Sequence, residues 1–140
     1  MLIDDNPDHA DLAADCLSAC GADINVGCYA GAETALEALA ERSTTSAQLP
    51  DLILLDINLP GLSGFDVLRS VKTDTRLCRI PTIMLSSSAD PNDILRACKH
   101  HANSYITKSA DFTRWEAALR AICDYWRHHD RAYDLKAISA

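Results

Sequence analysis

Leu52, Ile53, Leu54 and Leu55 follow one another without a polar interruption and run straight into Asp56. A strand exposed on one face alternates apolar with polar residues. An unbroken run needs cover on both faces, the condition of an interior strand in a parallel sheet. That requirement governs the rest of the chain, because parallel neighbours need long crossover connections and helices on either side of the sheet. A loop carrying Pro60, Gly61 and Gly64 follows Asp56. A carboxylate at the C-terminal end of a buried strand stands where open α/β sheets place their chemistry. Taken alone, an Asp there is as readily a helix cap or a turn former.

The flanking segments supply the alternation that such a sheet needs. Met1–Ile3 reads as the end of a curtailed apolar strand, followed by Asp4, Asp5 and Asn6. Pro7 suits a helix opening, and Ala10, Ala13, Ala14, Leu17 and Cys20 carry helical spacing up to a stop at Gly21. Residues 23–29 predict a second strand. Ala32, Ala35, Leu36, Leu39 and Ala40 mark a second helix, and residues 43–50 a polar connection. Ser63 and Asp66 have capping-box spacing ahead of Phe65, Leu68 and Val71. A strand over 80–85 ends in Ser86, Ser87 and Ser88. Asp90-Pro91 then starts a helix with Ile94, Ala97 and Cys98 on one side. A brief strand over 104–107 runs into Lys108. The last helix, from near Asp111, places Phe112, Trp115, Leu119, Ile122 and Trp126 on one stripe. The pattern predicts an α/β fold: a doubly wound, five-stranded parallel sheet of flavodoxin-like order 2-1-3-4-5 with helices on both faces. Residues 1–127 form the domain and 128–140 a C-terminal tail.

Composition narrows the function. The 140 residues make one domain's worth of chain, and the net charge of −7, without a basic run, argues against nucleic-acid binding. No apolar stretch approaches a membrane span, and the first residues do not read as a signal peptide. A cytoplasmic protein is expected. The six cysteines lack C-x-x-C spacing and read as small buried thiols in a reducing compartment. His100-His101 and His128-His129 are adjacent pairs, which on a helix point in different directions and read as solvated helix ends.

Strands one, three, four and five end in Asp4-Asp5, Asp56, Ser86 and Lys108. A parallel sheet brings all of those ends to one edge. Three carboxylates gathered there repel, and a hard divalent cation with oxygen ligands, Mg²⁺ foremost, relieves that repulsion. Carboxylates, a divalent ion, a lysine and a small hydroxyl suit phosphoryl transfer to a carboxylate. An Asp attacks phosphorus while positive charge neutralises the equatorial oxygens. No P-loop, G-x-G-x-x-G or G-x-S-x-G motif is present.

At these residues the chain resembles a response-regulator receiver domain of two-component signalling. IDDNP, LILLDINLPGLSGFDVL, IPTIMLSSS and SYITK carry the likeness in order and spacing. The resemblance implies that Asp56 accepts a phosphoryl group from a histidine kinase, and that the protein is a signalling partner and not an enzyme acting on outside substrates. It further implies that Asp5 ligates Mg²⁺ directly, Asp4 mainly through water, and Asn58 through its backbone carbonyl. Ser86 matches the switch hydroxyl, Tyr105 the switch aromatic and Lys108 the phosphate-contacting lysine. The second half is similar to small stand-alone receivers paired with phytochrome kinases, which commonly form homodimers through helix four, strand five and helix five. On that likeness Tyr125 and Trp126 would extend the contact, with Trp115, Leu119 and Ile122 as ordinary core.

Two departures stand out. Ser109 follows Lys108 where the family usually has a proline with a cis bond, and a cis bond before a non-proline residue costs ~2.5–4 kcal/mol. The first strand is also short for an interior position. A phosphate-independent pseudo-receiver and a relay partner of a histidine phosphotransfer protein therefore remain alternatives. A phosphohydrolase is less suited, because Asn58 stands where such enzymes place a second Asp.

Overall fold

The computed structural model describes residues 1–45 and 47–128. The elements, in chain order, are β1 (Leu2–Ile3), α1 (Pro7–Ala19), β2 (Cys28–Tyr29), α2 (Ala32–Thr44), β3 (Ile53–Asp56), α3 (Gly64–Thr73), β4 (Thr82–Ser86), α4 (Pro91–Lys99), β5 (Ser104–Thr107) and α5 (Phe112–His128). All strand pairs are parallel and the spatial order is β2-β1-β3-β4-β5, as the pattern predicts. Residues 129–140, most of the expected tail, lie outside the described residues, as does the side chain of His128.

The unbroken apolar run does what its pattern requires. Ile53 and Leu55 join the core under α2, α3 and α4, whereas Leu54 joins the one under α1 and α5. β4 divides in the same way, with Met84 on the first side and Ile83 and Leu85 on the second. Fully burying one such side chain contributes about 1.5–3 kcal/mol, so these two strands anchor the domain. Trp115, Leu119 and Ile122 of α5 are buried against the second face, as expected of core residues.

Several elements differ from their predicted extents. Only Cys28 and Tyr29 of the segment 23–29 form strand, because β1 offers just Leu2 and Ile3 to pair with. Helix α2 continues through residues 43–44, where Ser43 and Thr44 hydroxyls bond back to the Ala40 carbonyl. Phe112 does not join the α5 stripe; it is 68% exposed at the first turn. Trp126 turns inward and packs partly against the second core cluster, while its neighbour Tyr125 is exposed. Of the cysteines, only Cys16 and Cys123 are buried, and all six are free thiols. Burial, with Cys20 and Cys16 nearby, pushes the Cys123 thiol up to about 12. No helix among the described residues is long and apolar enough to cross a membrane.

Candidate functional site

The C-terminal edge of the sheet gathers the ends of β1, β3, β4 and β5 with the starts of α1 and α3. At β1, Asp4 is 3% exposed, and its Oδ1 accepts from the Asn6 N–H at 3.0 Å. The Asn6 side chain in turn caps α1, accepting from the amides of Asp8 and His9. This fixes how the chain leaves β1, so Asp4 faces inward and Asp5 outward to solvent. At β3, Asp56 is 6% exposed, and its Oδ1 accepts from the Asn58 amide at 3.3 Å. Asn58 itself is exposed on the loop.

The loop after Asp56 closes tightly. Gly61 adopts φ 75°, a left-handed conformation that glycine takes without steric cost. Gly64 donates to the Ile57 carbonyl at 2.9 Å, and a Cβ there would sit 2.1 Å from the Asp56 carbonyl oxygen. Helix α3 therefore begins directly against the strand end. Ser63 and Asp66 form the predicted capping box: the Asp66 amide donates to Ser63 Oγ while Asp66 Oδ2 accepts from the Ser63 amide. The Ser63 hydroxyl, which donates to Asp66 Oδ2 at 2.7 Å, and the Ser63 amide hold the Asp66 carboxyl below its usual range.

At β5, Lys108 is buried although the bond to Ser109 is trans. Its amide donates to the Ser86 carbonyl, which ties the β5 end to the β4 end. The side chain crosses the edge. Nζ donates to Asp4 Oδ2 at 2.6 Å and to Asp56 Oδ2 at 2.9 Å, and lies 3.3 Å from His9 Nδ1. With the trans bond to Ser109 the lysine still reaches both carboxylates. Carboxylate oxygens of Asp4, Asp5 and Asp56 come within 4.8 Å of one another. Such a set of hard oxygen donors fits a divalent cation of the Mg²⁺ type.

Ser86 and Tyr105 meet through one residue, Ser88. Ser86 is 1% exposed and its Oγ accepts from the Ser88 amide at 3.0 Å. The Tyr105 hydroxyl donates to the Ser88 carbonyl at 2.8 Å, with its ring packed partly on the core. Two participants were not legible in the sequence. Ser88 stands in a run of three serines with nothing local to single it out, and the His9 contact spans 99 residues of chain.

This arrangement invites comparison with known proteins, and the pattern for the response regulator receiver domain matches residues 1–120. The chain belongs to the response regulator receiver family. Among curated relatives, the probable methanogenesis regulatory protein FilR2 of Methanothrix harundinacea is 30% identical over 94% of this chain and 85% of its own length. Response regulator Rcp1 of Synechocystis is 36% identical over 55% of this receiver, a match that spans 52% of Rcp1. The crystal structure of the phosphorylated cyanobacterial phytochrome response regulator RcpA superposes with a TM-score of 0.84 at 34% identity, covering 91% of each chain. The Mn²⁺-bound form of Rcp1 superposes with a TM-score of 0.74 at 26% identity, covering 91% of this receiver and 93% of Rcp1.

Proposed function

We propose that this receiver accepts a phosphoryl group on Asp56 from a sensor histidine kinase and relays its state through the α4–β5–α5 face. The observation that carries the reading is the buried ammonium of Lys108 held between Asp4 and Asp56 at the sheet edge. In the transfer, an Asp56 oxygen forms the new bond to phosphorus as the P–N bond of the donor phosphohistidine breaks. The bonding pair leaves with the imidazole, which takes up a proton. Lys108 then meets one phosphoryl oxygen, and the Ser86 hydroxyl donates to another.

Mg²⁺ would be held by Asp5 directly, by Asp4 mainly through water, by Asp56 and by the backbone carbonyl of Asn58. When bound it supplies positive charge against the phosphoryl oxygens. Asp5, exposed at the rim, is suited to meet an ion arriving from solvent.

The switch runs through Ser88. A Ser86 side chain drawn toward the phosphoryl group releases the Ser88 amide, and the carbonyl of that same residue holds the Tyr105 hydroxyl. Tyr105 then moves deeper, biasing two existing states of the face. Ile94 and Leu95 of α4 are exposed, and Ile106 of the edge strand β5 is half-buried, which suits a homodimer contact. The likeness to RcpA favours a bacterial phytochrome as the kinase, acting in the cytoplasm.

The test incubates the receiver with a phosphorylated bacterial phytochrome kinase and Mg²⁺, following label transfer and sedimentation together. Transfer to the wild type but not to Asp56→Asn, with a changed dimer fraction, supports the reading. A labelled kinase that keeps its phosphate in the presence of folded receiver overturns the pairing. A folded receiver that no donor phosphorylates would be a phosphate-independent scaffold.

A further inference from the structure

Lys108 has three ammonium protons to place. Two go to Asp4 and Asp56, and the third polar side-chain atom at Nζ is the Nδ1 of His9, at 3.3 Å. His9 stands on the first turn of α1, which begins at Pro7 and is capped by Asn6. Side chains on a helix lean toward its N-terminus, and here that direction leads back over the β1 end. The His9 amide is itself fixed by the cap, donating to Asn6 Oδ1. Asn6 therefore sets both the Asp4 carboxylate and the helix turn that carries the imidazole.

We propose that His9 is a positioning residue of the phosphoryl-accepting site, its Nδ1 taking the third Lys108 proton and aiming the ammonium at Asp56. The ring that does this is neutral and carries its proton on Nε2, because an ammonium only donates. Without His9, two carboxylates pull Nζ from two directions and its third proton turns to water. When a phosphoryl group on Asp56 becomes an acceptor, the imidazole keeps the amine from following Asp4 alone. Asn at this position presents a side-chain oxygen at about the place of Nδ1, so it substitutes for the contact where Ala does not. This inference rests on Asp56 as the phosphoryl acceptor.

Two readouts test it. The first is independent of phosphorylation: long-range ¹H–¹⁵N NMR of the folded protein reads the His9 tautomer. The expected result is a bare Nδ1 whose resonance moves in Lys108→Met; an Nδ1–H tautomer overturns the proposal. The second follows phosphorylation by acetyl phosphate with Mg²⁺, and the decay of the adduct. His9→Ala should slow phosphorylation about 2- to 10-fold, the scale of one lost hydrogen bond, and His9→Asn should restore most of it. A His9→Ala protein with wild-type formation and decay rates refutes the positioning role while leaving Asp56 as acceptor. A wild type that takes no phosphate refutes the acceptor reading instead, and with it the role assigned here to His9.

Discussion

Two lysines, at opposite edges of the same sheet, each place their ammonium among three polar side-chain or carbonyl groups, and they do different work. At the N-terminal edge, Lys72 of α3 donates to the carbonyls of Cys78 and Ile80 and to Asn103 Oδ1, at 3.3, 2.8 and 3.1 Å. Asn103 Oδ1 also accepts from the Thr82 amide, so one cation fastens α3 to the starts of β4 and β5. All of its partners are neutral, and burial lowers the Lys72 pKa. At the C-terminal edge, Lys108 has two carboxylates as partners, and Asp5 adds a third nearby. Counted as ionised, three acids against one ammonium leave two negative charges over. The first lysine completes a local structure. The second leaves a site short of positive charge, the condition under which a cation would be taken up.

The contrast is sharpest in a pair of substitutions. Lys108→Met should slow phosphorylation about 10²-fold or more, the scale of losing one donor to a developing anion, whereas Lys72→Met should leave that rate within about 2-fold. Equal rates for the two variants with acetyl phosphate would break the distinction. Gly64→Ala comes next. Its Cβ meets the backbone of Asp56 and Ile57, so α3 or the strand end must shift, costing about 1–3 kcal/mol or more in urea unfolding and slowing phosphorylation as well. Lys72→Met takes a donor from the part-buried carbonyls of Cys78 and Ile80, the second still held by the Thr82 hydroxyl, a loss of about 1–3 kcal/mol with the chemistry intact.

The pH dependence of stability separates the edges further. Because the folded Lys72 pKa lies below 10.5, the unfolded chain binds more protons over the window from that pKa up to 10.5. Stability attributable to Lys72 therefore rises with pH across that window. The difference between wild type and Lys72→Met, followed by denaturant titration, should show the rise. Smallest is Ser63→Ala, which removes one half of the α3 capping box for about 1 kcal/mol and leaves the site's partners in place.

The residues that were legible are those whose neighbours in sequence dictate their setting. Leu52–Leu55 demanded cover on both faces, and Ser63-x-x-Asp66 announced the start of α3 by local bonding alone. Asp4, Asp56, Ser86 and Lys108 could be gathered because parallel topology brings strand ends to one edge. What failed depended on a partner elsewhere. Residues 24–27 have strand-like composition, yet β1 supplies only Leu2 and Ile3, and a strand exists only as far as its neighbour. Phe112 fitted the helical period of α5 but is its first residue and exposed, and burial begins with Trp115. His9 and Ser88 take their meaning from contacts 99 and 17 residues away, which no local pattern records.

Phosphorylation by a small acyl phosphate tests the central claim most directly. Wild type and Asp56→Asn are incubated with acetyl phosphate, with and without Mg²⁺, and read by intact mass. The account predicts the mass gain of one phosphoryl group on the wild type, dependent on Mg²⁺ and absent from the variant. An adduct that persists in Asp56→Asn, or a folded wild type that gains no mass, would contradict it.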